Sequence, residues 1–272
     1  PTTLGQERLW FLDQLEGQSS AYNLFGTYSL YGQLDRHSLT RALGEIIARH
    51  EILRTRFPEQ DGHPVQHIEP AESAVVPLAY HDFRGREDGE IEARRLLRGQ
   101  ALAPFDLDRG PLLRIVLVAL DRNQALLLVA MHHIISDGWS MGRFVEEMAA
   151  AYQAVHSGTA LDLPPLPIQY ADVAAWQRTW AESGQLDAQV AFWKSHLAGA
   201  PPLPTLPLDR ARPAQPSYRG QTVHFTIESA LAARIKQLGH SRQCTPYMTL
   251  LAAFAVLLYR YSGQDDLPIG SP

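Results

Sequence analysis

Two apolar runs joined by a polar turn constrain what this chain can fold into more than any other feature. Residues 112–120 and 125–131 are almost continuously apolar, and Asp121-Arg122-Asn123 between them reads as a hairpin turn. Side chains of a strand alternate between its two faces, so strands apolar at consecutive positions need cover on both sides. A sheet buried between layers, with at least one antiparallel pair, is therefore required. The 272 residues, 45% of them hydrophobic and 19% charged, are enough to build such a core without disulfides.

Helical periodicity supplies the covering elements. Ser38 reads as the cap of a helix reaching His50, with Leu39, Leu43, Ile46 and Ile47 at amphipathic spacing. A weaker helix covers 89–102. Another, capped by Ser140, steps Phe144, Met148, Tyr152 and Val155 along one side. The stretch 164–216 holds nine of the chain's 19 prolines. Within it, 169–197 reads as helix broken near Gly184, and 199–219 as an extended surface connector. A strand at 222–227, helices at 229–240 and 246–261, and a further strand beginning at 266–272 complete an α+β order.

Several function classes are excluded at this level. The 24 Lys and Arg against 29 Asp and Glu give a net charge of −5 and no footprint for nucleic acid. The lone cysteine, Cys244, leaves no disulfide framework and fits a reducing compartment. No signal peptide opens the sequence, and the apolar stretch 249–259 is far short of a membrane span, so a cytoplasmic protein without membrane contact is expected. Neither a phosphate loop nor Cys/His zinc spacing is present, so no cofactor or metal bound by the chain is expected.

The chemistry-bearing candidates gather where the second apolar strand ends. His132-His133-Ile134-Ile135-Ser136-Asp137-Gly138 passes from that strand into a helix. Alternation sends the two imidazoles to opposite faces, which argues against one shared metal ion and permits one in the core and one in a cleft. Asp137 either orients a histidine or pairs with a cation to brace the loop; Gly138 permits a positive φ or a close backbone approach. The alternative is two hydrogen-bonded core histidines and a turn-forming aspartate. Arg49-His50-Glu51-Ile52-Leu53-Arg54-Thr55-Arg56-Phe57 reads as the exit from a helix into a strand, with Arg54 and Arg56 on one face. Arg54 is the candidate partner of Asp137. Gly138-Trp139-Ser140-Met141-Gly142 also matches the G-x-S-x-G nucleophile elbow, which would make Ser140 a hydrolase nucleophile, but the preceding strand is hairpin-paired and too distant. Tyr170, Trp176 and Trp180 lie at helical spacing and are expected to pack in the core.

His132 to Gly138 resembles the H-H-x-x-x-D-G signature of condensation domains of nonribosomal peptide synthetases, in the chloramphenicol-acetyltransferase-like superfamily. Leu4-Gly5-Gln6-Glu7-Arg8-Leu9-Trp10-Phe11-Leu12 is similar to the family's first motif, with Gly5 for the usual Ala and Thr3 for Ser. Arg49 to Phe57 fits the second. Tyr170-Ala171-Asp172-Val173-Ala174-Ala175-Trp176-Gln177 resembles the fourth, with Val173 where an aromatic is usual, and Ser217-Tyr218-Arg219-Gly220 extends the similarity.

The resemblance implies an α/β sandwich lobe, normally one of two in a V-shaped pair with a tunnel between them. It divides the chain into a first lobe at 1–170, a helical and Pro-rich connector at 171–220, and the beginning of a second lobe at 221–272. It implies amide formation by attack of a carrier-bound aminoacyl amine on an upstream carrier-bound acyl or peptidyl thioester. Both substrates arrive on the 4′-phosphopantetheine arms of peptidyl carrier proteins, beside an adenylation domain. In that frame His133 and Gly138 are the catalytic residues: His133 orients the amine and accepts its proton, and the Gly138 N–H donates to the developing oxyanion or the arm. His132, Asp137 and Arg54 are structural. The first motif looks like that of domains taking an L-configured donor. Heterocyclization domains carry aspartates for both histidines, and noncatalytic recruitment domains usually lose part of the signature, which is intact here. Family members run longer than 272 residues, so a truncated second lobe, inactive on its own, is expected.

Overall fold

The computed structural model of the chain describes residues 1–17, 19–201, 205–213, 220–221 and 223–270. It forms two compact units, Pro1–Leu186 and Asp187–Pro272. The first unit opens with α1 (Leu4–Glu16), β1 (Asn23–Tyr31) and α2 (Arg36–Arg49). After a 3-10 turn at Glu51–Arg54 come the two-residue strands β2 (Thr55–Arg56), β3 (Glu59–Gln60), β4 (His63–Pro64) and β5 (His67–Ile68). The chain continues through β6 (Leu78–Asp82), α3 (Gly89–Ala101), β7 (Leu113–Ala119), β8 (Gln124–His132) and α4 (Gly138–Ser157). Then follow α5 (Tyr170–Glu182), α6 (Gln185–His196), α7 (Ser229–Ser241) and α8 (Pro246–Ser262).

A four-stranded sheet in the order β1-β8-β7-β6 organises the first unit. The β7–β8 hairpin has the expected antiparallel register, with Leu117 opposite Leu127. On the other side β8 pairs antiparallel with β1, Thr27 opposite Leu128. Every residue of β8 from Ala125 to His132 is buried, so both faces of the strand are covered. Helix α3 packs on β1, β7 and β8 through Ala93, Leu97 and Ala101, while α2 and α4 pack against each other. β6 runs parallel to β7, and α3 is the crossover that a parallel pair requires.

Local chemistry sets the helix ends, and two caps differ from expectation. Asp35, not Ser38, caps α2; its carboxylate accepts the N–H groups of His37 and Ser38. Asp137, not Ser140, caps α4. The helical stretch 169–197 breaks at Gly184, whose φ of 79° is the left-handed region that glycine enters without strain.

In the second unit Thr245 caps α8, Pro246 takes its first turn, and α7 packs on α8. The approach is close at Gly239, where an added Cβ would lie 2.7 Å from Thr249 Oγ1. Neither strand expected in this unit forms among the described residues: Val223–Ile227 and Asp266–Gly270 carry no ladder, because no neighbouring strand accepts their hydrogen bonds. Thr222 and residues 271–272 lie outside the described residues. So do 202–204 and 214–219 of the Pro-rich run, which include most of the Ser217–Gly220 similarity. Among the described residues no helix is long and apolar enough to cross a membrane.

Candidate active site

The end of β8 separates the two histidines. The His132 N–H bonds Leu112 O at 3.0 Å and the His133 N–H bonds Tyr22 O at 2.8 Å, so the backbone is held through the last residue of the strand and into the turn that follows it. His132 turns into the core, 1% exposed, with the rings of Tyr22 and Phe105 at 6.3 and 6.4 Å. His133 is exposed and stands on the wall of a cavity of about 400 Å³. Burial, with the neighbouring His133 adding to it, pushes the His132 pKa down to about 4. The ring is therefore neutral near pH 7, and its Nδ1 accepts the Ile134 N–H at 3.1 Å, which leaves the proton on Nε2. Opposed faces rule out a shared metal, and no group of three His, Cys, Asp or Glu among the described residues is placed to hold one.

Asp137 is engaged by its own helix. Oδ1 accepts both the N–H and the hydroxyl of Ser140 at 2.7 Å. These bonds, the backbone one foremost, hold the carboxyl below its usual range. The expected ion pair with Arg54 is not formed. Arg54 closes a 3-10 turn instead of lying on a strand, and its guanidinium finds nearer partners in the Glu69 carbonyl and the Glu51 carboxylate, the latter at 3.7 Å. Its Nε is buried without a hydrogen-bond partner. Gly138 opens α4 with a helical backbone, so the positive-φ reading falls away, and a Cβ there would meet nothing within 4 Å. The G-x-S-x-G match lies wholly inside α4, its strand is antiparallel, and the Ser140 hydroxyl is spent on Asp137. That is not a nucleophile elbow.

Three distant segments complete the wall. From α1, the buried Gln6 accepts the Thr3 N–H on Oε1 at 2.9 Å and donates from Nε2 to Ile134 O at 3.2 Å, tying the first helix to the histidine loop. From the end of α2 come His50, Ile52 and Leu53. The His50 Nε2 lies 2.7 Å from Glu147 Oε2 on α4, and Arg49 Nε bonds the same oxygen at 3.3 Å. From α5, Tyr170 lines the cavity, and Arg178 joins α5 to α1 by an ion pair with Glu7 and a 2.8 Å bond to Thr2 O. Tyr170 is 42% exposed and Trp176 63%, the latter stacked on Trp180, so this set is not the core cluster its spacing suggested. The sequence reading did not single out Glu147, which is 8% exposed beside the apolar stripe of Phe144, Met148 and Ala151 and which no local pattern marks.

Four motifs scattered from Leu4 to Gln177 thus supply one cavity and its supports, and the family model described as "Condensation domain" matches residues 1–272. The chain belongs to the condensation-domain family. Malpibaldin synthetase of Mortierella alpina is 42% identical over 270 residues, covering 99% of this chain and 5% of the relative. Phosphinothricin tripeptide synthetase PhsC of Streptomyces viridochromogenes is 40% identical over 274 residues, covering all of this chain and 25% of the relative. Among solved structures, the X-domain in complex with OxyB from teicoplanin biosynthesis matches with a TM-score of 0.84 at 37% identity, over 97% of this chain and 57% of that one. The first condensation domain of the CDA synthetase, at 24% identity and a TM-score of 0.76 over 97% of this chain and 62% of that one, shares the fold. That fold is the α/β, chloramphenicol-acetyltransferase-like one. The chain spans a small fraction of the curated relatives it matches.

Two measurements test this condensation domain's loop. Asp and Asn cap helices about equally, whereas Ala loses about 1 kcal/mol. Asp137→Asn should therefore leave the urea midpoint nearly unchanged and Asp137→Ala should lower it; an equally large loss for both would restore a bracing ion pair. For His132, the unfolded chain takes a proton near 6.5 and the folded chain only near 4. Its contribution to stability is full above pH 6.5 and is lost as the pH falls toward about 4, by roughly 3 kcal/mol at the end of that range. His132→Asn, which keeps an acceptor for Ile134, should have a visibly flatter stability profile across that window.

Proposed function

We propose that this domain forms an amide bond, the amine of a carrier-bound aminoacyl thioester attacking an upstream carrier-bound acyl or peptidyl thioester. The observation that carries the reading is His133, an exposed imidazole fixed at the end of a doubly buried strand on the wall of the cavity. An α-amine has a pKa of roughly 7.7–8.0, so about one in ten is already neutral at pH 7. His133 therefore need not be a strong base. It hydrogen-bonds the attacking amine, orients it, and takes its proton as the tetrahedral species forms. The proton then reaches the departing pantetheine thiolate, and the new C–N bond replaces the C–S bond. The Gly138 N–H, at the first position of α4 with no intrahelical acceptor, donates to the developing oxyanion. His132 supports the loop from the core, and Asp137 holds the helix start that presents Gly138. Arg54 acts as structural support for the Glu51–Arg54 turn.

The partners in this reading are an upstream donor carrier, a downstream acceptor carrier and an adjoining adenylation domain. The domain itself binds no cofactor, and 4′-phosphopantetheine enters with the carriers. The Gln6–Leu12 part of the first motif favours an L-configured donor. A second reading, a docking platform that binds partners without forming an amide, has one observation in its favour: the X-domain relative at 37% identity is recorded in complex with OxyB.

Loaded carriers incubated with a complete condensation domain containing these residues should give the extended thioester by mass spectrometry, faster from an L- than a D-donor. His133→Ala should lower turnover by about 100-fold or more with an unchanged melting temperature. Unchanged turnover removes His133 from the reaction, and partner binding without product selects the platform. At Gly138, proline deletes only the N–H, because proline suits the first helical position and Asp137 before it is extended, at φ −133° and ψ −175°. Gly138→Pro should fold and lose roughly tenfold or more in turnover while Gly138→Ala keeps it; equal rates would exclude the oxyanion role.

A further inference from the structure

A second imidazole stands on the same cavity wall, and the proposed reaction gives it no task. His50 follows the last residue of α2, its N–H still reaching Ile46 O at 3.0 Å, so its backbone is set by the helix end. Gln169 clamps the residues on either side: its Nε2 donates to Arg49 O at 2.9 Å and its Oε1 accepts the Glu51 N–H at 3.2 Å. The ring is held too, its Nε2 at 2.7 Å from Glu147.

Glu147 is buried on α4, where an apolar residue would fit beside Phe144 and Met148 at lower desolvation cost. Its carboxylate is paired with the Arg49 guanidinium, which in turn donates to Pro164 O at 2.5 Å. An ionised carboxylate only accepts hydrogen bonds, so Nε2 must carry the ring proton. In the neutral ring the lone pair then lies on Nδ1, which has no hydrogen-bond partner among the described residues. A fixed acceptor is thus held on a residue of the cavity wall, which elsewhere mixes apolar side chains such as Leu9, Ile52 and Phe144 with polar ones such as Gln6 and Arg143.

We propose that His50, oriented by Glu147, binds the substrate by accepting a hydrogen bond from a secondary-amide N–H. This rests on the amide-forming reading, which brings acyl and pantetheine groups into the cavity. Two sources have the required chemistry: an amide of the acyl chain and the amides of the pantetheine arm, of which the one nearer the sulfur lies within a few bonds of the thioester. The site discriminates against N-alkylated amides, which have no proton to donate.

The test uses binding rather than turnover. The probe is an unreactive ketone analogue of a dipeptidyl N-acetylcysteamine thioester, titrated into a complete domain containing these residues. Two further analogues carry an N-methyl group on the acyl-chain amide or on the arm amide. In the unsubstituted domain one methylation should weaken binding by roughly five- to tenfold, the worth of one neutral hydrogen bond, and which one identifies the source. His50→Phe should bind the parent probe equally weakly and lose nothing more on methylation. Glu147→Gln, whose carboxamide can donate to Nε2 and move the ring proton to Nδ1, should remove the same discrimination should the first variant fail to fold. The proposal is overturned if methylation costs nothing in the unsubstituted domain, or costs the same in the variants. If loaded carriers give no amide while the coupling persists, the reaction falls and the His50 site stands; if amide forms and the coupling is absent, the His50 site falls alone.

Discussion

β8 is bonded along both edges and buried on both faces, and the geometry of the cavity wall depends on where that strand stops. Its pairing partners fix its register against β1 and β7, and backbone bonds continue from His132, its last residue, to His133 in the turn that follows. Because strand side chains alternate, a slip of one residue would carry His133 into the core and His132 into the cavity. The register is held by consecutive apolar residues packed above and below the sheet, far from any reacting atom. Packing therefore chooses which of two identical side chains meets the solvent.

The rest of the wall is assembled by a different kind of bond. Gln6 reaches the backbone at Ile134, Gln169 reaches the backbone on both sides of His50, and Arg178 reaches the backbone at Thr2. In each case a long polar side chain satisfies the main chain of a distant segment. Turns and helix ends leave backbone groups without ladder or helix partners, and buried ones must find partners elsewhere. Those obligations gather segments near residues 4, 50, 134 and 170 around one space.

This division explains what could be read from the residues. The β7–β8 hairpin, α3 and the break at Gly184 follow from apolar periodicity and turn chemistry, which act locally. The parallel edge strand β6 did not, because Leu78–Asp82 is short and partly exposed, and carries no apolar run. The two misplaced caps share one cause. Asp35-Arg36-His37-Ser38 and Asp137-Gly138-Trp139-Ser140 both place Asp three residues before Ser, and either type caps well. In both, the carboxylate accepts the serine N–H and hydroxyl together, so the helix starts at the aspartate. The same capture removed Asp137 from Arg54, which no local pattern announces. Glu147 was equally silent, because its partners lie 97 and 98 residues away.

His132 and His133 show why residue type alone underdetermines chemistry. Desolvation keeps the His132 ring neutral, and its lone pair is committed to the Ile134 N–H. A group so placed, 1% exposed, is out of a substrate's reach. His133, one residue on, commits only its backbone, to Tyr22 O, and leaves its ring to the cavity. Under the proposed reaction that sparseness is sufficient. Two reactants delivered on tethered arms meet at high effective concentration, so the wall needs few polar groups, each rigidly aimed. His133 is aimed by the sheet register, the Gly138 N–H by the Asp137 cap, and His50 by Glu147, so every polar group in the proposed chemistry is positioned by a residue that does not itself react.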